Sequence, residues 1–74
     1  MKADKTLDIK GLTDPRPKEV TKDVLNMMSK GRILRVISDD AAARRTIALL
    51  CEYSGYSLLS TDEDGGVICF TIQK

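Results

Sequence analysis

Apolar and polar residues alternate near the start of the chain, with Leu7 and Ile9 on one side and Thr6, Asp8 and Lys10 on the other. This period of two predicts a half-buried strand over Thr6 to Lys10, ended by Gly11. From Pro15 to about Met28 the period changes: Val20, Val24, Met27 and Met28 recur at helical spacing and predict an amphipathic helix, with both methionines treated as packing residues. Ser29-Lys30-Gly31 closes it, Gly31 suiting the left-handed position after a helix. Arg32 to Ser38 is rich in β-branched residues and apolar on both sides, the pattern of an inner strand. Asp39-Asp40 then supplies a helix cap, and Ala43, Ile47, Leu50, Cys51 and Ser54 mark one face of a second helix that Gly55 stops.

Two strand-like runs follow, Tyr56 to Thr61 and Val67 to Gln73, joined by Asp62-Glu63-Asp64-Gly65-Gly66, whose Asp-Gly and Gly-Gly steps favour a hairpin. The order strand, helix, strand, helix, strand, strand predicts an α+β two-layer sandwich. Its four-stranded mixed sheet carries both helices on one face. At 74 residues the expectation is a single domain over 1–74 with a thin core.

Composition removes whole classes of chemistry. There is no histidine, so Ser-His and Cys-His nucleophile pairs and the commonest zinc ligand are excluded. Cys51 and Cys69 lack Cys-x-x-Cys spacing and lie in apolar segments, which predicts reduced thiols and neither a metal site nor a cofactor. A net charge of +1 gives no global reason for a nucleic-acid or membrane partner. No apolar run approaches the ~20 residues that cross a bilayer, and MKADKTLD has no signal-peptide core, so a cytoplasmic location is expected.

Gly11-Leu12-Thr13-Asp14-Pro15-Arg16-Pro17 resembles the signature G-L-x-C-P-x-P of the TusA/SirA-like sulfur carriers, with Asp14 in place of the sulfur-bearing cysteine. Val36-Ile37-Ser38, the Asp39-Asp40 pair, Gly55-Tyr56 and the final hairpin extend the resemblance from about Leu7 to Ile72. It implies a β-α-β-α-β-β fold and, for most members, receipt of a persulfide sulfur on the signature cysteine. Delivery is to a partner in tRNA thiolation or related sulfur trafficking. The partners it implies are relay proteins such as a cysteine desulfurase or a downstream acceptor, bound through Leu12, Thr13, Pro15, Arg16, Pro17 and Lys18.

A thiolate just before a helix is stabilised by the dipole and by free N–H groups, which is what a sulfur acceptor needs. Pro15 suits the first helical position and Pro17 the first turn, where a missing N–H loses nothing. Asp14 at this place reads first as a helix N-cap accepting a first-turn N–H. It also reads as a recognition residue on a partner-binding loop. As a catalytic base or acyl-phosphate nucleophile it has no histidine, metal cluster or second carboxylate nearby in the sequence to support it. A carboxylate cannot carry a sulfane sulfur, so sulfur transfer at Asp14 itself is not expected.

Cys51 is the alternative sulfur acceptor, although sharing a face with Ile47 and Leu50 suits a core cysteine with a raised pKa. If Ile68, Phe70 and Ile72 face the helices, Cys69 lies on the open face of the sheet. Arg16, Lys18, Arg32, Arg35, Arg44 and Arg45 are the main positive content. They suit an acidic partner or RNA, but acidic residues are interleaved and no aromatic residues stack between them. The implied fold is similar to the C-terminal domain of translation initiation factor three, which keeps a regulatory or RNA-binding module as the alternative function.

Overall fold

The computed structural model describes residues 2–74. The elements are β1 (Lys5–Asp8), α1 (Arg16–Met27), β2 (Ile33–Ser38), α2 (Ala43–Ser54), β3 (Ser57–Asp64) and β4 (Val67–Gln73). They form one four-stranded sheet in the order β1-β2-β4-β3, with β1 parallel to β2 and the other two pairs antiparallel. A parallel pair needs a long crossover, which α1 provides. The expected two-layer sandwich is the observed fold, and β2 lies inside the sheet as its pattern predicts.

β4 shows why one face holds the core. Ile68, Phe70 and Ile72 are fully buried, while Val67, Cys69, Thr71 and Gln73 take the other side and stay half-buried. In β2, Leu34, Val36 and Ser38 join the buried face, whereas Arg35 is exposed and Ile33 and Ile37 are half-covered. The apolar residues on both sides of β2 therefore do not mean that both faces are packed.

α1 presents Pro17, Thr21 and Leu25 to the sheet, a row four residues apart, flanked by half-buried Val20, Val24 and Met28. Met27 is 84% exposed, which corrects its reading as a packing residue. Two residues beyond Leu25 it is turned about 200° round the helix, away from the core. In α2, Ala43, Ile47, Leu50 and Cys51 are buried as expected, but Ser54 at the end of that face is exposed. Gly55 ends the helix at φ +76°, and its N–H and that of Tyr56 both donate to the Cys51 carbonyl.

Two strand ends move by more than one residue from their predicted positions. β1 stops at Asp8, although Ile9 just beyond it is still buried at 4% exposure. β3 runs on to Asp64 because Asp62, Glu63 and Asp64 pair with Cys69, Ile68 and Val67. An edge strand tolerates such charges on its solvent side. The turn shrinks to Gly65-Gly66, with φ of +59° and +82°, the two positive values that a tight two-residue hairpin requires.

Candidate functional site

The signature loop lies at the carboxyl end of the parallel pair. The Ile9 N–H donates to the Ile37 carbonyl at 2.8 Å, extending the β1–β2 pairing by one residue, and the Leu12 N–H turns back to the Ile9 carbonyl at 3.2 Å. Leu12 then packs against the core and Pro17 is buried in the first turn of α1, while Thr13, Asp14, Pro15 and Arg16 between them are exposed. The loop is thus a short arch held at both ends by apolar anchors. Lys18 is exposed at the start of the helix beside it.

Asp14 does not cap α1. The N-cap is Pro15, with no side-chain cap hydrogen bond, and Arg16 is the first helical residue. The cause is a shortage of donors in the first turn: Pro15 and Pro17 have no N–H, and the Arg16 N–H already donates to the Thr13 carbonyl at 2.9 Å. The reading of Asp14 as a capping carboxylate is corrected accordingly, and so is that of Pro15 as the first helical residue.

Asp39 and Asp40 take a different part from the one their place in the sequence suggests. The N-cap of α2 is Ala42, again without a side-chain cap bond. Asp39 instead accepts the Gly11 N–H on Oδ1 at 2.9 Å, and Asp40 accepts the Asp14 N–H on Oδ2 at 2.9 Å. Asp40 Oδ1 also accepts the Ala42 N–H at 3.3 Å, and the Asp40 N–H donates to Oγ of fully buried Ser38 at 3.1 Å. Two neighbouring carboxylates therefore hold the arch from the loop beside it, a role that capping rules alone did not reveal.

Neither native thiol is part of this arch. Cys51 is 2% exposed among core residues, and burial pushes its thiol pKa up. It lies about 12 Å along the helix axis from Ala43. Cys69 is half-buried on the open sheet face, in register with Ile37 and Asp62. Three of the arginines have carboxylate partners: Arg16 with Glu19 at 3.7 Å, Arg32 with Asp4 at 3.4 Å, and Arg44 with Glu63. Lys18 and Lys22 on α1 and Leu49 and Tyr53 on α2 line an open groove of about 500 Å³. Among the described residues no three of Cys, Asp and Glu are grouped to hold a metal ion.

Comparison with known proteins places these features in one family. The family described as Sulfurtransferase TusA matches residues 5–74. The chain is 38% identical over 74 residues to YrkI of Bacillus subtilis, named as a candidate sulfur carrier, covering 100% of this chain and 99% of that protein. It is 35% identical over 71 residues to the sulfur carrier protein TusA of Allochromatium vinosum, covering 96% and 93% of the two chains. The crystal structure of a SirA-like protein from Desulfitobacterium hafniense superposes with a TM-score of 0.83 at 28% identity, covering 93% of this chain and 95% of that one.

Proposed function

The chain belongs to the TusA sulfurtransferase family of sulfur carriers, and from that premise we propose that it docks relay partners through the arch Thr13–Arg16 without bearing sulfur at Asp14. The carrying observation is the exposed arch between half-buried Leu12 and buried Pro17, kept intact while a carboxylate stands where the signature has its thiol. A thiolate takes the terminal sulfur of a persulfide by attacking it, forming a new S–S bond as the donor's S–S bond breaks and the donor leaves as a thiolate. A carboxylate oxygen provides no sulfur nucleophile for that exchange.

Arg16 and Lys18 flank the arch and suit an acidic surface on the partner, such as that of a cysteine desulfurase or a downstream acceptor. Leu12, Thr13, Pro15 and Pro17 supply its shape. Arg16, Arg32 and Arg44 already face Glu19, Asp4 and Glu63, so a continuous basic track for RNA is not favoured. The setting proposed is cytoplasmic sulfur trafficking of the kind that feeds tRNA thiolation. No helix of the described residues is long and apolar enough to cross a membrane.

The test uses a cysteine desulfurase with labelled cysteine. The chain with Cys51→Ala and Cys69→Ser should bind the desulfurase yet acquire no label. Label on this thiol-free chain would overturn the sulfur part of the proposal. Charge reversal at Arg16 and Lys18 should weaken binding about tenfold, the scale expected for two surface charges facing a partner. Unchanged binding would remove the arch as the docking surface.

A further inference from the structure

Asp40 is anchored on three sides, by the buried Ser38 hydroxyl, by the Ala42 N–H and by the Asp14 N–H. Only the last of these reaches another part of the chain, across 26 positions of sequence. The carboxylate occupies the one N–H that residue 14 itself could turn towards an anion, and it brings a full negative charge beside that side chain.

We propose that Asp40 is a positioning residue that holds position 14 through its backbone N–H and makes that position less favourable to an anionic side chain than the same helix entrance would be without its charge. A helix entrance ordinarily favours an anion through unpaired N–H groups. Here the donors nearest position 14 are absent or engaged, and the Lys18 N–H is the first-turn donor left without a backbone acceptor. Pro15 and Pro17 have none, the Arg16 N–H is bonded to Thr13, and the residue-14 N–H is bonded to Asp40.

The other charged groups around the arch do not offset this. Arg16 pairs with Glu19 on α1, Lys10 pairs with Asp8 after β1 at 3.5 Å, and Asp39 adds a second carboxylate on the Gly11 N–H. Lys18, exposed on the first turn of α1, is the remaining cation nearby in sequence. A sulfur atom installed at position 14 would lie within about 4 Å of its own backbone nitrogen by covalent geometry. Asp40 Oδ2 is 2.9 Å from that nitrogen, so the two groups lie within about 7 Å of each other. At a surface site this separation shifts a thiol by about half to one pH unit.

The inference concerns the arch assigned to docking above, but its test is read on thiol chemistry with no partner present, so the two proposals fail separately. The perturbations are Asp14→Cys alone and Asp14→Cys with Asp40→Asn, which keeps a carbonyl acceptor for the residue-14 N–H while removing the charge. Alkylation by iodoacetamide is followed against pH at low ionic strength and located by peptide mass spectrometry, which separates the new thiol from Cys51 and Cys69. Removing the charge should lower the thiol pKa by about half to one unit and raise its alkylation rate at neutral pH about three- to tenfold.

Asp39→Asn, acting at Gly11, should shift the installed thiol less than Asp40→Asn does. Equal pKa values with and without Asp40→Asn would overturn the proposal. Should the doubly substituted chain fail to fold, the Asp14→Cys chain alone decides. With Asp40 intact its thiol should titrate at or above the ordinary value of about 8.5, and a value well below that would equally overturn it.

Discussion

The two native thiols predict a large difference in reactivity that bears on whether Cys51 replaces the missing signature cysteine. Cys51 is 2% exposed on the buried face of α2, and burial raises its thiol pKa; Cys69 is half-buried on the open sheet face. A reagent reaches Cys51 only when the domain opens. For a small domain with a stability of roughly 5 kcal/mol the open fraction is on the order of one part in several thousand. Cys51 should therefore be alkylated about three to four orders of magnitude more slowly than Cys69.

Ile47 lies one turn before Cys51 and is fully buried, so Ile47→Ala should cost about 3 kcal/mol and speed labelling of Cys51 roughly 100-fold. Cys69, already accessible, should change little. Pulsed alkylation read by peptide mass spectrometry measures both rates in one sample. Labelling of Cys51 within tenfold of Cys69, or no response to Ile47→Ala, would refute the reasoning and restore Cys51 as an accessible sulfur acceptor.

Two further outcomes follow from local geometry. Because burial raises the Cys51 pKa in the folded state, the associated stability is present below the ordinary thiol value near 8.5 and is lost as pH rises through the folded value. Denaturant midpoints should fall over that alkaline range, less steeply after Cys51→Ala; identical slopes would argue against it. Gly66 has φ +82° and open space where a Cβ would stand, so Gly66→Ala should cost about 1–2 kcal/mol from backbone strain alone. A melting temperature within a degree of the parent would contradict this.

How much the sequence reveals depends on whether a residue's partner is a layer or a single atom. The alternation in β4 identifies Ile68, Phe70 and Ile72 because a strand has one inward face and the helices cover it. Leu25 was hidden in α1 because its buried row is shared with Pro17 and Thr21, which a hydrophobic pattern passes over. Val20, Val24 and Met28, the visible stripe, are the shoulder of that row. Asp62–Asp64 looked like a turn because acidic residues are poor strand formers, yet backbone pairing with β4 carries the strand through them. The loop Leu12–Pro17 was legible as a motif, but the orientation of Asp14 was not.

The displaced role of Asp39 and Asp40 follows from the sheet itself. Capping rules assign a carboxylate to the nearest helix in sequence, whereas a carboxylate serves whichever unpaired N–H stands nearest in space. β1 and β2 are parallel neighbours, so both chains leave the sheet at the same edge, and the Ile9–Ile37 hydrogen bond holds their exits side by side. The loop after β1 carries unpaired N–H groups at Gly11 and Asp14, and the loop after β2 carries the two carboxylates. α2 can start on Ala42 without a side-chain cap because Asp40 still reaches the Ala42 N–H with its other oxygen. The parallel pairing thus turns what reads as a helix cap into a brace for the arch. In this chain the charge environment at position 14 is therefore set as much by β2's exit loop as by the helix that follows the signature.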